Sequence, residues 1–153
     1  MGSKLAAAKI AVWSGIEAVI ADASRPGVLA AVASGTPGVG TRFRPREVVL
    51  PARKLWIAFA IGASGSITVD AGARRALVDG GKSLLPAGIV SVSGDFGPDD
   101  AVELVGPDGE VFAKGLVRHS SDDVAGWAGR RSEELPEDVA AEVVHRDDLV
   151  VLG

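Results

Sequence analysis

Residues 82–96, with the sequence KSLLPAGIVSVSGDF, constrain the fold more than any other stretch. An apolar run ends at Pro86, and Gly88 provides a turn. Apolar residues then mix with serines over residues 89–93, until Gly94 starts a new direction. This pattern predicts a turn, a strand and a second turn, with the apolar face of the strand directed inward.

Short strands and tight turns continue from there to the end of the chain. Residues 101–105 and 110–117 flank the turn sequence at 106–109, Gly-Pro-Asp-Gly, which is the clearest hairpin signal in the chain. Further strands are predicted at residues 67–69 and 143–152. Two short helices are predicted, one that Asp70 can cap and one that Ser120 or Ser121 can cap. The sequence therefore predicts a small, mostly β barrel with short helices.

The N-terminal part has a different pattern. Residues 4–14 predict a helix that is apolar on nearly every side, which is typical of a buried helix, and Gly15 can end it. The apolar run at 18–21 is typical of a buried parallel strand. A helix at 28–34 and a strand at 41–44 follow. This α-β-α-β order is that of an α/β domain, but it has too few strands for a complete one.

Charge changes sign along the chain at about residue 65. Residues 1–65 contain eight Lys or Arg and three Asp or Glu, whereas residues 66–153 contain eight and seventeen. We therefore predict three parts: an α/β fragment at 1–50, a linker at 51–65 and the β-rich domain at 66–153. The β-rich domain at 66–153 lacks the basic cluster that binding to a phosphate backbone requires.

Two short motifs are expected to have ordinary structural roles. Gly81-Lys82-Ser83 resembles the end of a phosphate-binding loop, but Ala76 stands where that loop needs a glycine. His145-Arg146-Asp147 resembles the catalytic loop of protein kinases, but the other elements of such a kinase are absent. The chain has no Cys and two His, so no zinc site is expected.

The first four residues form a candidate anion site. Met1, Gly2 and Ser3 lead into the predicted helix, where free backbone N–H groups and the helix dipole favour an anion, and Lys4 adds a full positive charge. A start methionine followed by Gly-Ser can equally be the remnant of a tag.

The chain resembles the C-terminal part of bacterial glutamate 5-kinases over essentially its whole length. These enzymes join an amino-acid-kinase domain to a small PUA domain. The similar stretches occur in the same order and include MGSKLAAA at 1–8, GIEAVIA at 15–21, RPGV at 25–28, GTRF at 40–43, RKLWI at 53–57, ITVD at 67–70, SLLP at 83–86, GIVSVSGDF at 88–96, AKGLVR at 113–118 and VHRDD at 144–148.

The resemblance implies an α/β remnant of the amino-acid-kinase sandwich followed by a PUA pseudo-barrel. It also implies the family's reaction, in which the γ-phosphoryl group of ATP passes, with Mg²⁺ present, to the side-chain carboxylate of L-glutamate in the first step of proline biosynthesis. Met1, Gly2, Ser3 and Lys4 correspond to the end of the nucleotide-phosphate site. Lys4 is expected to be catalytic by neutralising charge on the transferred phosphoryl group.

The family's N-terminal kinase segments have no counterpart in this sequence. We therefore expect the chain alone to be inactive, with no tightly bound cofactor. Exposed apolar surface is expected in its first part, to be covered by the missing kinase half or by self-association. We expect neither nucleic-acid nor membrane binding, and a cytoplasmic location. The alternative is a stand-alone PUA module that binds RNA.

Overall fold

A computed structural model of the protein describes residues 2–47, 49–136 and 139–152. The chain folds into two compact units, Met1–Pro51 and Ala52–Gly153. Within these described ranges, no helix combines the length and the apolar character needed to cross a membrane.

The first unit consists of two helices and a two-stranded sheet. Helix α1 (Gly2–Trp13) is followed by β1 (Ala18–Ile20), α2 (Val28–Ala33) and β2 (Thr41–Phe43). The order of these elements agrees with the prediction. The prediction of a buried parallel strand at 18–21 is wrong, because β1 pairs antiparallel with β2 and its residues are only half-buried. A short apolar run does not show the direction of the partner strand.

Helix α1 ends as predicted but is less buried than predicted. Gly15 has a φ of 76°, and the amide of Ile16 donates to the carbonyl of Ala11 at 2.9 Å, as in a glycine-terminated helix. Only Ala8 and Trp13 among its described residues are buried. The unit leaves several large apolar side chains exposed, namely Leu5, Ile10, Ile16, Leu29 and Val49.

The second unit is organised around a mixed five-stranded sheet. Its strands are β3 (Gly65–Val69), β4 (Ile89–Gly94), β5 (Ala101–Val105), β6 (Val111–Val117) and β7 (Val144–Val151). Their spatial order is β4-β3-β5-β6-β7, and only the pairing of β3 with β5 is parallel. The core is built from buried apolar residues of all five strands together with Leu77 and Val124 from two helices. This is the small, mostly β unit that the sequence predicts.

The predicted caps and turns form in this unit. The side chain of Asp70 accepts a hydrogen bond from the Ala73 amide at 2.7 Å and caps α4 (Ala71–Val78). Ser120 caps α5 (Ser121–Trp127) by accepting from the Asp123 amide at 3.2 Å. Residues 82–96 contain a 3-10 turn at Pro86–Gly88 before β4. Turn chemistry that acts within a few residues is thus readable from the sequence.

The interval predicted to be a linker contains helix α3 (Ala52–Phe59), which packs against β6 and β7. Ile57 is fully buried in this packing. A guanidinium nitrogen of Arg53 lies 2.7 Å from a carboxylate oxygen of Asp148, and Lys54 donates to the carbonyl of Arg146 at 3.2 Å. The buried Lys114 donates to the carbonyl of Ile61. These bonds hold α3 as part of the second unit.

Candidate anion-binding cavity

Lys4 lines a cavity of about 510 Å³ within the first unit. The wall combines charged side chains, glycines and small apolar groups, and the described residues that form it are Lys4, Ile20, Ala21, Asp22, Arg25, Val28, Gly38, Val39, Gly40 and Thr41. The first turn of α1, the end of β1 and the segment before β2 therefore meet at this cavity.

The antiparallel pairing of β1 and β2 explains how these segments come together. Ile20, at the end of β1, lies opposite Thr41, at the start of β2. Gly40 has a φ of 74°, and a Cβ at this position would lie 2.5 Å from the carbonyl oxygen of Ile20. Only glycine therefore fits this approach of the two backbones.

Asp22 provides the negative charge of the cavity wall. One of its carboxylate oxygens accepts hydrogen bonds from the Ser24 amide at 2.9 Å and from the Ser24 hydroxyl at 2.8 Å. The bond from the Ser24 amide, and after it the bond from the Ser24 hydroxyl, lowers the pKa of Asp22 below its usual value. Partial loss of hydration acts to raise this pKa, and the ammonium of Lys4 acts to lower it. Asp22 is therefore ionised at neutral pH.

Replacing Ser24 with alanine should raise the pKa of Asp22 towards its usual value, because one of the two hydrogen bonds to the charged form is lost. Since the folded-state pKa lies below the unfolded one, the stabilisation is present at neutral pH and is lost as the pH falls through the lowered pKa. Carboxyl-carbon NMR titration measures the shift. Ser34→Ala, in another turn, is the control, and an unchanged Asp22 titration in Ser24→Ala contradicts the assignment.

The structure brings one of the four predicted site residues to the cavity. Lys4 lines the wall, whereas Gly2 and Ser3 lie exposed in the first turn of α1 and are not among the lining residues. Met1 lies outside the described residues. Sequence reasoning missed Asp22 and Arg25 as site residues. The signal that was available is their position in the loop that follows a predicted strand, because such loops carry binding groups.

A second cavity, of about 590 Å³, lies in the second unit between α4 and the 3-10 turn. Lys82 and Ser83 of the Gly-Lys-Ser motif line it, together with Ala73, Leu77 and Leu85. Lys82 follows a helix instead of preceding one, and the Ser83 hydroxyl accepts from the Arg146 amide at 3.1 Å. The motif therefore packs as a structural turn.

His145, Arg146 and Asp147 lie at the start of β7 and contact one another locally. His145 Nδ1 is 3.6 Å from a carboxylate oxygen of Asp147, and Arg146 Nε is 3.9 Å from the other. Local pairing was expected for this motif, and its position is within the strand itself.

Comparison with known proteins identifies the class of the second unit. The family described as the PUA domain matches residues 65–138, which include β3 to β6, α4 and α5. The chain therefore contains a PUA domain, as its sequence predicts. Over its whole length it is a homologue of the C-terminal part of glutamate 5-kinases.

The curated relatives are glutamate 5-kinases from diverse bacteria. The chain is 43% identical to the enzyme of Synechococcus sp. (strain JA-3-3Ab), covering 99% of this chain and 42% of the relative. It is 46% identical to that of Myxococcus xanthus (strain DK1622), over 99% of this chain and 41% of the relative. It is 43% identical to that of Mycobacterium tuberculosis (strain H37Rv), over 100% of this chain and 40% of the relative. The chain thus spans about two fifths of the length of these relatives.

Solved PUA structures are also similar to this chain. A PUA domain from Aeropyrum pernix K1 in complex with tartrate matches with a TM-score of 0.41 and 27% identity, covering 63% of this chain and 50% of that one. A conserved PUA domain protein from Thermoplasma acidophilum matches with a TM-score of 0.40 and 23% identity, over 67% and 61% of the two chains.

Proposed function

We propose that the first unit supplies part of the ATP site of a glutamate 5-kinase, with Lys4 as its catalytic cation. The observation that carries this proposal is the cavity, whose wall combines Lys4 with two glycines of positive φ, Gly38 and Gly40, and with Thr41. Glycines let a backbone approach a ligand closely, and a lysine ammonium is a common partner of phosphate.

The proposed role of Lys4 is electrostatic. Transfer of a phosphoryl group to the carboxylate of glutamate brings negative charges together, and a positioned ammonium stabilises the charge that develops in the transition state. We expect Mg²⁺ to arrive with the phosphates of ATP. Asp22 is the single carboxylate that the described wall of the cavity offers to it, and Mg²⁺ sites of this kind normally combine one or two carboxylates with substrate oxygens and water.

The chain alone is proposed to be inactive and to act together with an N-terminal kinase half. Leu5, Ile16 and Leu29 are exposed by 49%, 60% and 83% in the first unit. Such apolar exposure in so small a unit fits a surface that another polypeptide covers, either the kinase half or a second copy of this chain. We place the assembly in the cytoplasm, where proline biosynthesis begins.

The PUA domain is proposed to serve assembly or regulation. The cavity beside α4 has one cation in its described wall, Lys82, and two carboxylates, those of Asp70 and Glu142. Residues 66–153 as a whole are strongly acidic. Neither property favours a nucleic-acid backbone, which clustered Lys and Arg bind. RNA binding by a stand-alone module is therefore the less supported alternative.

A chimaera tests the kinase proposal. The isolated chain should show no glutamate-dependent release of ADP from ATP. A chimaera in which this chain replaces the matching segment of the Myxococcus xanthus relative should be active. Lys4→Ala in the chimaera should lower kcat by about 100- to 1,000-fold, the cost of removing one donor to a transition-state anion.

Two outcomes contradict the proposal. One is robust turnover of glutamate by the isolated chain, which would mean that no kinase half is needed. The other is a folded chimaera whose activity does not change on Lys4→Ala. Arg44→Ala serves as the control, because Arg44 belongs to the same unit but does not line the cavity.

A further inference from the structure

Arg25 is a second cation in the wall of the Lys4 cavity. It lies in the turn between β1 and α2, where its amide donates to the carbonyl of Asp22 at 3.3 Å and its carbonyl accepts from the Val28 amide at 3.2 Å. These two bonds fix the backbone of Arg25 at the cavity. The guanidinium makes no ion pair or hydrogen bond with any residue that the structure describes, so its donors are available to a ligand.

The negative charge nearby does not neutralise both cations. Asp22 is the one carboxylate among the described residues of the wall, and its bonded oxygen is held by Ser24 within the same turn. Lys4 and Arg25 together thus give the cavity an excess of positive charge. An anion with several charges, spread over more than one group, complements this arrangement better than a single carboxylate does.

We infer that Arg25 binds the phosphate chain of a nucleoside triphosphate jointly with Lys4, each cation contacting a different phosphate group. This inference rests on the proposed function. The planar guanidinium presents paired donors that match the oxygens of a phosphate, whereas the lysine ammonium acts as a compact charge. Arg25 is accordingly a residue that binds the phosphate chain, whereas Lys4 stabilises the charge on the transferred phosphoryl group.

The inference predicts how affinity depends on the side chain at residue 25. Arg25→Ala should weaken the binding of ATP and of inorganic tripolyphosphate to the full chain roughly tenfold or more, since a charged hydrogen bond is lost. Arg25→Lys should fall between wild type and Arg25→Ala, because it keeps the charge and loses the paired donors. Binding of adenosine, which has no phosphate, should not change.

Isothermal titration calorimetry with ATP, tripolyphosphate and adenosine measures these affinities. Arg44→Ala is the matched control, as it removes the same charge from the same unit outside the cavity wall. Circular dichroism of each variant verifies that it is folded, and Arg25→Lys replaces Arg25→Ala if the latter is not.

Each result has a distinct meaning. If Lys4→Ala abolishes tripolyphosphate binding and Arg25→Ala leaves it unchanged, the inference is overturned and the proposed function stands. If Arg44→Ala weakens binding as much as Arg25→Ala, the effect is general electrostatics and the inference is overturned. If the wild-type chain binds neither ATP nor tripolyphosphate, the inference is overturned, and the proposed function is then decided by the activity of the chimaera and of its Lys4→Ala variant.

Discussion

Replacing Ile57 with alanine is expected to lower the free energy of unfolding of the second unit by about 2–5 kcal/mol. Ile57 has no exposed surface and lies on α3, which packs against β6 and β7. Truncation removes buried methyl and methylene groups and leaves a cavity that the sheet cannot fully close. Urea denaturation followed by circular dichroism measures the loss. Hydrogen exchange of peptides from β6 locates it.

Trp56→Ala is the control for this experiment. Trp56 is the neighbour of Ile57 on the same helix and is 47% exposed. The change removes more atoms than Ile57→Ala, yet it should cost less because much of the side chain is already in contact with water. If the two variants lose equal stability, or if exchange in β6 is unaffected by Ile57→Ala, then α3 does not belong to the cooperative unit as the structure indicates.

The packing of helix α3 could not be predicted from the sequence. Its apolar run over residues 54–61 indicates that something must cover it, but not what. The ion pair of Arg53 with Asp148 joins residues 95 positions apart, and the bond from Lys114 to Ile61 joins residues 53 apart. Such contacts depend on the completed sheet, so the segment was expected to be a linker.

Local features were predictable because their causes are local. The Asp70 cap acts over three residues and the 106–109 turn over four. The parallel pairing of β3 with β5 has no comparable signal, since an intervening strand and helix separate the two. The same reasoning applies to the cavity, where Lys4 was expected and Arg25 was not. Its place in the wall depends on the pairing of β1 with β2.

The sequence does not show which glycines are required by close packing and which are required only by a turn. Gly35 and Gly40 both lie in the loop between α2 and β2 or at its edge, and both have a positive φ, of 72° and 74°. An added Cβ at Gly35 would meet nothing within 4 Å. An added Cβ at Gly40 would lie 2.5 Å from the Ile20 carbonyl oxygen and 2.9 Å from the Cβ of Ala21. Only the structure separates a turn glycine from a packing glycine.

Gly40→Ala is therefore expected to destabilise the first unit by about 2–5 kcal/mol, of which about 1–2 kcal/mol is the cost of a left-handed alanine and the rest the overlap with the backbone of β1. Because the carbonyl of Ile20 must move, the end of β1 and the turn that carries Asp22 and Arg25 move with it. Tripolyphosphate binding should then be lost together with stability, as calorimetry and hydrogen exchange of β1 can measure.

Gly35→Ala separates these two contributions. It imposes the same backbone strain without a clash and outside the cavity wall, so it should cost only about 1–2 kcal/mol and leave tripolyphosphate affinity unchanged. Equal losses of stability in the two variants would show that strain alone acts at Gly40 and that the close approach to Ile20 is not required. Retained affinity in a destabilised Gly40→Ala would show that the cavity does not depend on the β1–β2 pairing.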